Sequence, residues 1–178
     1  MLTVARFHSM KGHVPYLEVI RDLAGVIPGI HVVFVGGGSA QVRDAVSARA
    51  DVLGLGGTVE MRESEDDVVP FYQAADIFVL PSQWGEAFPN VLLEAMATGV
   101  PCVTTDVGDA GQIVSDCGRV VPPANTRAMG HAIMALYALG DQGRDTLGLQ
   151  ARARVQARWS IQKMVEAYQR LYDGGRSH

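Results

Sequence analysis

A chain of 178 residues is long enough to bury a sizeable core within one domain. Its composition, with 48% hydrophobic and 19% charged residues, is ordinary for a globular protein, and the formal net charge of −4 argues against general nucleic-acid binding. A membrane-spanning helix and a signal peptide are not predicted, because there is no apolar run of about 18 residues and no basic segment followed by an apolar one.

The predicted elements alternate between strand and helix along the chain. Short apolar runs predict strands at 2–7, 31–35, 58–61, 76–80, 101–105 and 118–123. Periodic apolar positions predict helices at 14–26, 40–53, 66–75, 90–98, 112–114, 126–139, 141–158 and 160–172. This alternation predicts a single Rossmann-like α/β domain, residues 1–173, with a doubly wound parallel sheet of about six strands. Residues 174–178 are predicted to be a disordered tail.

The cysteines and histidines indicate no metal chemistry. Cys102 and Cys117 lie beside apolar residues without a C-x-x-C spacing, so we expect two reduced thiols in the core of a cytoplasmic protein. The five histidines show no metal-ligand spacing, so no metal site is predicted. The chain begins almost inside a strand, which suggests a domain that belongs to a longer protein.

Two carboxylates, Glu86 and Glu94, lie eight positions apart between a buried strand and the body of a helix. Asn90 follows Pro89 and is predicted to be the N-cap residue of that helix. In a parallel sheet this place binds ligands, because unpaired helix N–H groups point into the crevice at the strand ends. The pair is therefore suited to a polyhydroxylated ligand whose phosphate rests on the helix end. Alternatively, both are solvated surface charges, and the stretch by itself favours neither interpretation.

Two basic residues follow the first predicted strand. Arg6 lies at its carboxyl end and Lys11 in the next loop. The ends of strands one and four flank the switch point of a doubly wound sheet, so both cations are expected to face the helix that starts near Asn90. Charge-assisted contacts from these side chains would neutralise a diphosphate; the alternative is that they are unrelated surface charges, and their shared position opposite a helix start favours the phosphate role.

Other motifs do not carry a function. The loop 36–41 has Gln41 in place of the last glycine of a dinucleotide fingerprint and follows the second strand, so we reject it as a nicotinamide cofactor site. Ser9 and Ser82 lack a nucleophile elbow and are interpreted as loop or capping hydroxyls. Trp84 is either a pocket wall or half-buried packing.

The stretch from Glu86 to Glu94 resembles the E-x7-E motif of retaining GT-B glycosyltransferases of family 4, also called group 1. Further segments are similar to that family in the correct order, and they cover nearly the whole chain: 4–7 with 11–12, 33–38, 72–82, 94–101 and 118–123. The resemblance is to the C-terminal half of such an enzyme, which binds the nucleotide-sugar donor. The resemblance also implies that the full-length enzyme is cytoplasmic or peripheral at the inner membrane face.

The resemblance implies roles for single residues. Arg6 and Lys11 would hold the diphosphate of a UDP-, GDP- or ADP-sugar, and Glu94 the ribose hydroxyls. Glu86 would contact the donor sugar and is the candidate catalytic residue. The remaining donor-binding candidates would act through the backbone at the helix start or would flank the base: Phe88, Asn90 and Val91, then Met61 and Arg62. No divalent metal or other cofactor is implied, because the cations and the helix dipole take its place.

Two positions depart from the family pattern. Pro89 stands where glycine is frequent and cannot donate a hydrogen bond, and Gln112 stands where glutamate is frequent. The N-terminal domain that binds the acceptor, a glycan or a lipid-linked sugar, is absent from this chain, so little or no transfer is expected from it alone. A sugar-nucleotide epimerase of the same fold and a stand-alone nucleotide-sugar-binding module are the alternative functions.

Overall fold

A computed structural model describes residues 1–174, which contain one six-stranded sheet with helices on both faces. Every strand pairing is parallel, and the strand order is β3-β2-β1-β4-β5-β6. The strands are β1 (Leu2–Val4), β2 (Val32–Val35), β3 (Val59–Arg62), β4 (Phe78–Leu80), β5 (Cys102–Thr105) and β6 (Gly118–Val121). The predicted Rossmann-like fold class is therefore confirmed.

Eight α-helices and two short 3-10 helices connect the strands in the described part of the chain. The α-helices are α1 (His13–Ala24), α2 (Ala40–Val52), α3 (Val69–Gln73), α4 (Asn90–Ala97), α5 (Ala110–Val114), α6 (Thr126–Tyr137), α7 (Gly140–Trp159) and α8 (Ile161–Gly174). The 3-10 helices are Ser9–Lys11 and Ser115–Cys117.

The strand order places the topological switch point between β1 and β4. From β1 the sheet grows through β2 and β3 in one direction, and from β4 through β5 and β6 in the other. The loops that follow β1 and β4 therefore leave the same edge of the sheet side by side and turn toward opposite faces. A crevice for a ligand opens where adjacent strand ends diverge in this way.

The two faces of the sheet bury separate hydrophobic clusters. Alternate side chains of β4 point to opposite faces, so Val79 joins one cluster while Phe78 and Leu80 join the other. The first cluster packs against α1, α2 and α6, and the second against α3, α4, α5 and α7. Both cysteines are buried as free thiols, as predicted.

The first strand is shorter than predicted. β1 ends at Val4 rather than at position 7, although the amides of Ala5 and Phe7 still donate to the carbonyls of Val35 and Gly37, at 3.0 and 2.7 Å. Arg6 therefore lies in the connecting loop and not at the last position of the strand. The chain bends here because it must leave the sheet toward α1.

The third helix is also shorter than predicted. Residues 66–75 were expected to be helical, whereas α3 begins at Val69 and ends at Gln73. Pro70 lies in its first turn, where the missing proline N–H costs nothing, and the Asp67 carboxylate accepts a hydrogen bond from the Val69 amide at 3.0 Å. Of the tail predicted at 174–178, Gly174 is the last residue of α8, and 175–178 lie outside the described residues.

The last helix differs from the others in its packing. α8 exposes a stripe of apolar side chains, among them Ile161, Met164, Tyr168 and Leu171. These side chains add nothing to the two core clusters. No helix within residues 1–174 is both long enough and apolar enough to cross a bilayer.

His13 is a buried histidine without a polar partner. Its ring stacks on Phe7 with 4.8 Å between the ring centroids and meets the edge of Phe34 at 5.2 Å, and neither ring nitrogen forms a hydrogen bond within the described residues. Burial, and to a smaller extent the positive charge of Lys11, lowers the pKa of His13 to about 4.

We expect His13 to make the folded state sensitive to acid. The unfolded chain binds a proton on this histidine at a higher pH than the folded chain does. The contribution of the neutral histidine to the free energy of unfolding is therefore complete above pH 6.5 and is lost as the pH falls toward 4. A pKa difference of this size corresponds to about 3 kcal/mol of unfolding free energy. Urea unfolding between pH 7 and pH 4 measures the loss.

The matched variants are His13→Phe, which keeps an aromatic ring, and His131→Phe on the exposed side of α6. The first should reduce the decline of stability with falling pH, and the second should leave it as in the wild type. Equal declines in all three proteins would contradict the assignment to His13.

Candidate functional site

An ion pair joins the loops that follow β1 and β4. Lys11 ends the 3-10 helix after β1, and Glu86 lies in the loop after β4. The Lys11 Nζ lies 2.6 Å from the Glu86 Oε1, and the two side chains are only 14% and 8% exposed. The interpretation of Glu86 as a solvated loop charge is therefore wrong. The two loops of the switch point are connected by opposite charges, as the positions of their strands require.

Ser82 is a second donor to the same carboxylate oxygen. Its hydroxyl donates to the Glu86 Oε1 at 2.5 Å, and the serine is completely buried. Its own carbonyl accepts a hydrogen bond from the hydroxyl of Thr105 at the end of β5. The sequence suggested only a loop or capping hydroxyl here, because a serine four residues before a glutamate is common and has no distinctive spacing.

The two loops also touch through their backbones. The Gln83 amide donates to the Met10 carbonyl at 2.7 Å. Gly12 adopts the left-handed conformation, with a φ of 70°, and a side chain at this position would place its Cβ 2.0 Å from the Pro81 carbonyl oxygen. Only glycine therefore allows the two loops to approach so closely. This contact sets the distance between Lys11 and Glu86.

The start of α4 offers unpaired backbone donors. Asn90 is the first helical residue and Pro89 takes the cap position, without a capping side chain, so the predicted N-cap was wrong by one residue. Pro89 has an extended backbone with a ψ of 96°, which is what a cap residue requires. Within the described residues, the amides of Phe88, Asn90 and Val91 donate no hydrogen bond. A helix start of this kind attracts anions.

Glu94 lies in the second turn of α4 and is held by a tyrosine. The buried Tyr72 hydroxyl, at the end of α3, donates to the Glu94 Oε2 at 2.8 Å, while the Glu94 residue remains exposed. Burial and then the Glu94 charge raise the pKa of Tyr72 above its ordinary range, so its hydroxyl keeps its proton and remains a donor. The sequence predicted Glu94 as a site residue but missed Tyr72, because the two are 22 positions apart.

Arg6 and Phe88 lie at the site but make no polar contact across it. The Arg6 side chain is exposed and forms no ion pair or hydrogen bond with another described residue. The Phe88 ring is 41% exposed and meets Trp159 in a T-shaped arrangement at 6.4 Å between centroids. Trp84 is 54% exposed, so about half of its surface is covered, which fits both a pocket wall and half-buried packing.

Met61 and Arg62 close β3 and are fixed by an arginine that the sequence did not single out. The Arg43 guanidinium, on α2, donates to the carbonyls of Met61 and Arg62 at 3.3 and 3.4 Å. It also lies over the Phe7 ring, 5.0 Å from its centroid, and pairs with Glu63. Arg43 therefore connects the end of β3 to α2 and to the loop after β1.

Comparison with known proteins identifies the family. The profile described as "Glycosyl transferases group 1" matches residues 1–138, and the chain belongs to this family of GT-B glycosyltransferases. The lipopolysaccharide core biosynthesis mannosyltransferase LpsB of Rhizobium meliloti is 30% identical over 156 residues, which are 85% of this chain and 41% of LpsB. The chain thus spans less than half the length of this curated relative.

Solved structures give the same fold. A glycosyltransferase from Rickettsia africae ESF-5 superposes with a TM-score of 0.91 at 21% identity, over 99% of this chain and 48% of that one. HepE of Anabaena in complex with UDP-glucose superposes with a TM-score of 0.83 at 21% identity, over 94% of this chain and 48% of that one. The chain corresponds to the C-terminal half of such enzymes.

Removing the Tyr72 hydroxyl should uncouple α3 from α4. We expect a Tyr72→Phe and Glu94→Gln double-mutant cycle, followed by urea unfolding, to give a coupling free energy of about 1 kcal/mol, since a hydrogen bond to an exposed carboxylate is worth less than a buried one. Tyr137→Phe, at an exposed position, is the matched control and should show no coupling with Glu94→Gln. Additive effects of Tyr72→Phe and Glu94→Gln would contradict the contact.

We expect any side chain at position 12 to destabilise the fold, because the two loops approach each other closely there. Gly29 has nearly the same φ, 68°, but no atom within 4 Å of a Cβ, so Gly29→Ala reports the backbone strain alone. We expect Gly29→Ala to cost about 1 kcal/mol of unfolding free energy and Gly12→Ala about 3 kcal/mol, because the second also pushes the loops apart. Equal losses in urea unfolding would show that the loops adjust freely.

Proposed function

We propose that this chain is the donor-binding domain of a retaining glycosyltransferase and binds a nucleoside diphosphate sugar. The observation that carries the proposal is the meeting of unlike groups at the switch point. Lys11 and Glu86 join the loops after β1 and β4, and the unpaired amides of α4 follow directly. Such a place has donors for an anion and carboxylates for hydroxyl groups within one crevice.

The cationic groups suit the diphosphate. Arg6 has no protein partner among the described residues, and the ammonium of Lys11 has three protons, of which the contact with Glu86 uses one. The amides of Asn90 and Val91 add the positive end of a helix dipole. Together they would neutralise the phosphates in the role that a divalent ion has elsewhere, so we propose a reaction without a metal cofactor.

The carboxylates suit the two sugars of such a donor. Glu94, oriented by Tyr72, would accept hydrogen bonds from the ribose hydroxyls. Glu86 would contact the transferred sugar, and backbone amides from Phe88 to Val91 would bind its hydroxyls or the phosphate. Met61 and Arg62, at the end of β3, would flank the base, with Arg43 holding their backbone.

The reaction requires a second half that this chain does not contain. LpsB and the Rickettsia glycosyltransferase are about twice as long as this chain, and we propose that the corresponding N-terminal half binds the acceptor, a glycan or a lipid-linked sugar. LpsB is named for lipopolysaccharide core biosynthesis, which supports a role in polysaccharide assembly. HepE was crystallised with UDP-glucose, which supports a nucleotide-sugar donor. Transfer with retention at the anomeric carbon, with Glu86 as its catalytic residue, would follow only when both halves hold their substrates. The cytoplasmic location stays a prediction.

Calorimetry with UDP, GDP and ADP tests the donor site. We expect one of the three to bind the wild-type chain and Glu94→Ala to weaken that binding tenfold or more, since a carboxylate that pairs with two ribose hydroxyls makes charge-assisted hydrogen bonds. Glu166→Ala on α8 is the matched control and should bind as the wild type does. Thermal unfolding confirms that both variants are folded.

Two outcomes would contradict the proposal. A wild-type chain that is folded and binds none of the three nucleotides would exclude a preformed donor site. Unchanged affinity in Glu94→Ala would show that the nucleotide binds elsewhere on the chain.

A further inference from the structure

The Glu86 carboxylate is held by one oxygen only. Lys11 at 2.6 Å and Ser82 at 2.5 Å both donate to Oε1, while Oε2 accepts no hydrogen bond from a described residue. The side chain is nevertheless only 8% exposed. A carboxylate accepts about four hydrogen bonds, so this one keeps acceptor capacity for a ligand on the oxygen that the protein leaves unused.

The two donors to Oε1 differ in rigidity. Ser82 follows β4 directly, is completely buried, and its carbonyl is held by Thr105 at the end of the neighbouring strand. Lys11 is the last residue of a short 3-10 helix, and its ammonium stands at the end of a four-carbon stem with several rotatable bonds. A bound diphosphate would attract the charged ammonium, whereas the neutral, buried hydroxyl of Ser82 would stay in place.

We propose that Ser82 is the positioning residue of Glu86, keeping the carboxylate in place when Lys11 turns toward the phosphates. This inference rests on the proposed function, because it assigns Lys11 to the diphosphate and Glu86 to the donor sugar. Ser82 itself touches neither ligand. It fixes Oε1, so that Oε2 remains directed at the sugar hydroxyls throughout binding.

A positioning role and a purely structural role of Ser82 predict different effects on ligand affinity. Glu86 acts on the sugar, so the loss of Ser82 should weaken a nucleotide sugar and leave the corresponding nucleoside diphosphate nearly unchanged. A serine that only stabilised the loop would affect both ligands alike, because the loop also leads into α4, whose amides face the phosphates. The ratio of the two affinities therefore separates the roles.

The experiment measures this ratio by calorimetry. The probes are three pairs, UDP with UDP-glucose, GDP with GDP-mannose and ADP with ADP-glucose, and the pair that the wild type binds is used. We expect Ser82→Ala to weaken binding of the nucleotide sugar about fivefold, which is the effect of about one hydrogen bond. Binding of the nucleoside diphosphate should weaken less than about twofold. Thermal unfolding checks that the variant is folded.

A double-mutant cycle shows whether Ser82 acts through Glu86. In a Glu86→Ala background, Ser82→Ala should no longer change the ratio, because the group that the serine positions is gone. Should Ser82→Ala fail to fold, Thr105→Val, which frees the Ser82 carbonyl, replaces it in the cycle. We expect it to shift the ratio in the same direction by a smaller factor.

Three results would overturn the proposal, and they are distinguishable. Equal weakening of both ligands, or no weakening of either, would remove only the role of Ser82 and leave the proposed function in place. An undiminished effect of Ser82→Ala in the Glu86→Ala background would show that the serine acts independently of Glu86. A wild-type chain that binds no probe would refute the proposed function and this inference with it.

Discussion

The contact between Lys11 and Glu86 is the constraint on which the rest of the site depends. Both side chains are largely buried, so each charge is compensated mainly by the other, with Ser82 as a further donor to Glu86. The pair therefore demands that the loops after β1 and β4 lie at a fixed distance. Gly12 and the Gln83 amide provide that distance through backbone contacts. The sheet supplies two neighbouring strand ends, and the ion pair makes them a single site.

The charged groups around this pair differ in how many polar partners hold them. Glu86 has two donors on one oxygen, Glu94 has one donor from Tyr72, and Arg6 has none among the described residues. The amides at the start of α4 are likewise unpaired there. Both carboxylates are thus held by side-chain donors, whereas Arg6 and the α4 amides have no partner among the described residues. In the proposed donor site this arrangement would orient the carboxylates before binding. Carboxylates oriented in advance recognise hydroxyl groups at a lower entropic cost.

The fold was largely predictable from the sequence because its signals are local. Apolar runs such as that before Gly36 mark strands buried on both faces, and most helix limits agree to within two residues. The exceptions are segments whose ends are set by the path of the chain or by a proline. β1 ends early because the chain must leave the sheet, and α3 is short because Pro70 is compatible only with a first turn.

The sequence by itself determined the order of elements, the switch point, and the candidates Arg6, Lys11, Glu86 and Glu94, because these follow from periodicity and from the ends of parallel strands. Only the tertiary structure decided how these candidates are connected. Ser82, Thr105 and Tyr72 have no distinctive spacing. Tyr72 and Thr105 bond to partners 22 and 23 positions away, and a serine four residues before a glutamate is too common an arrangement to predict the contact of Ser82 with Glu86. Such contacts are set by the packing of β4, β5 and α3 and leave no local trace in the sequence, which is why only the folded chain reveals them.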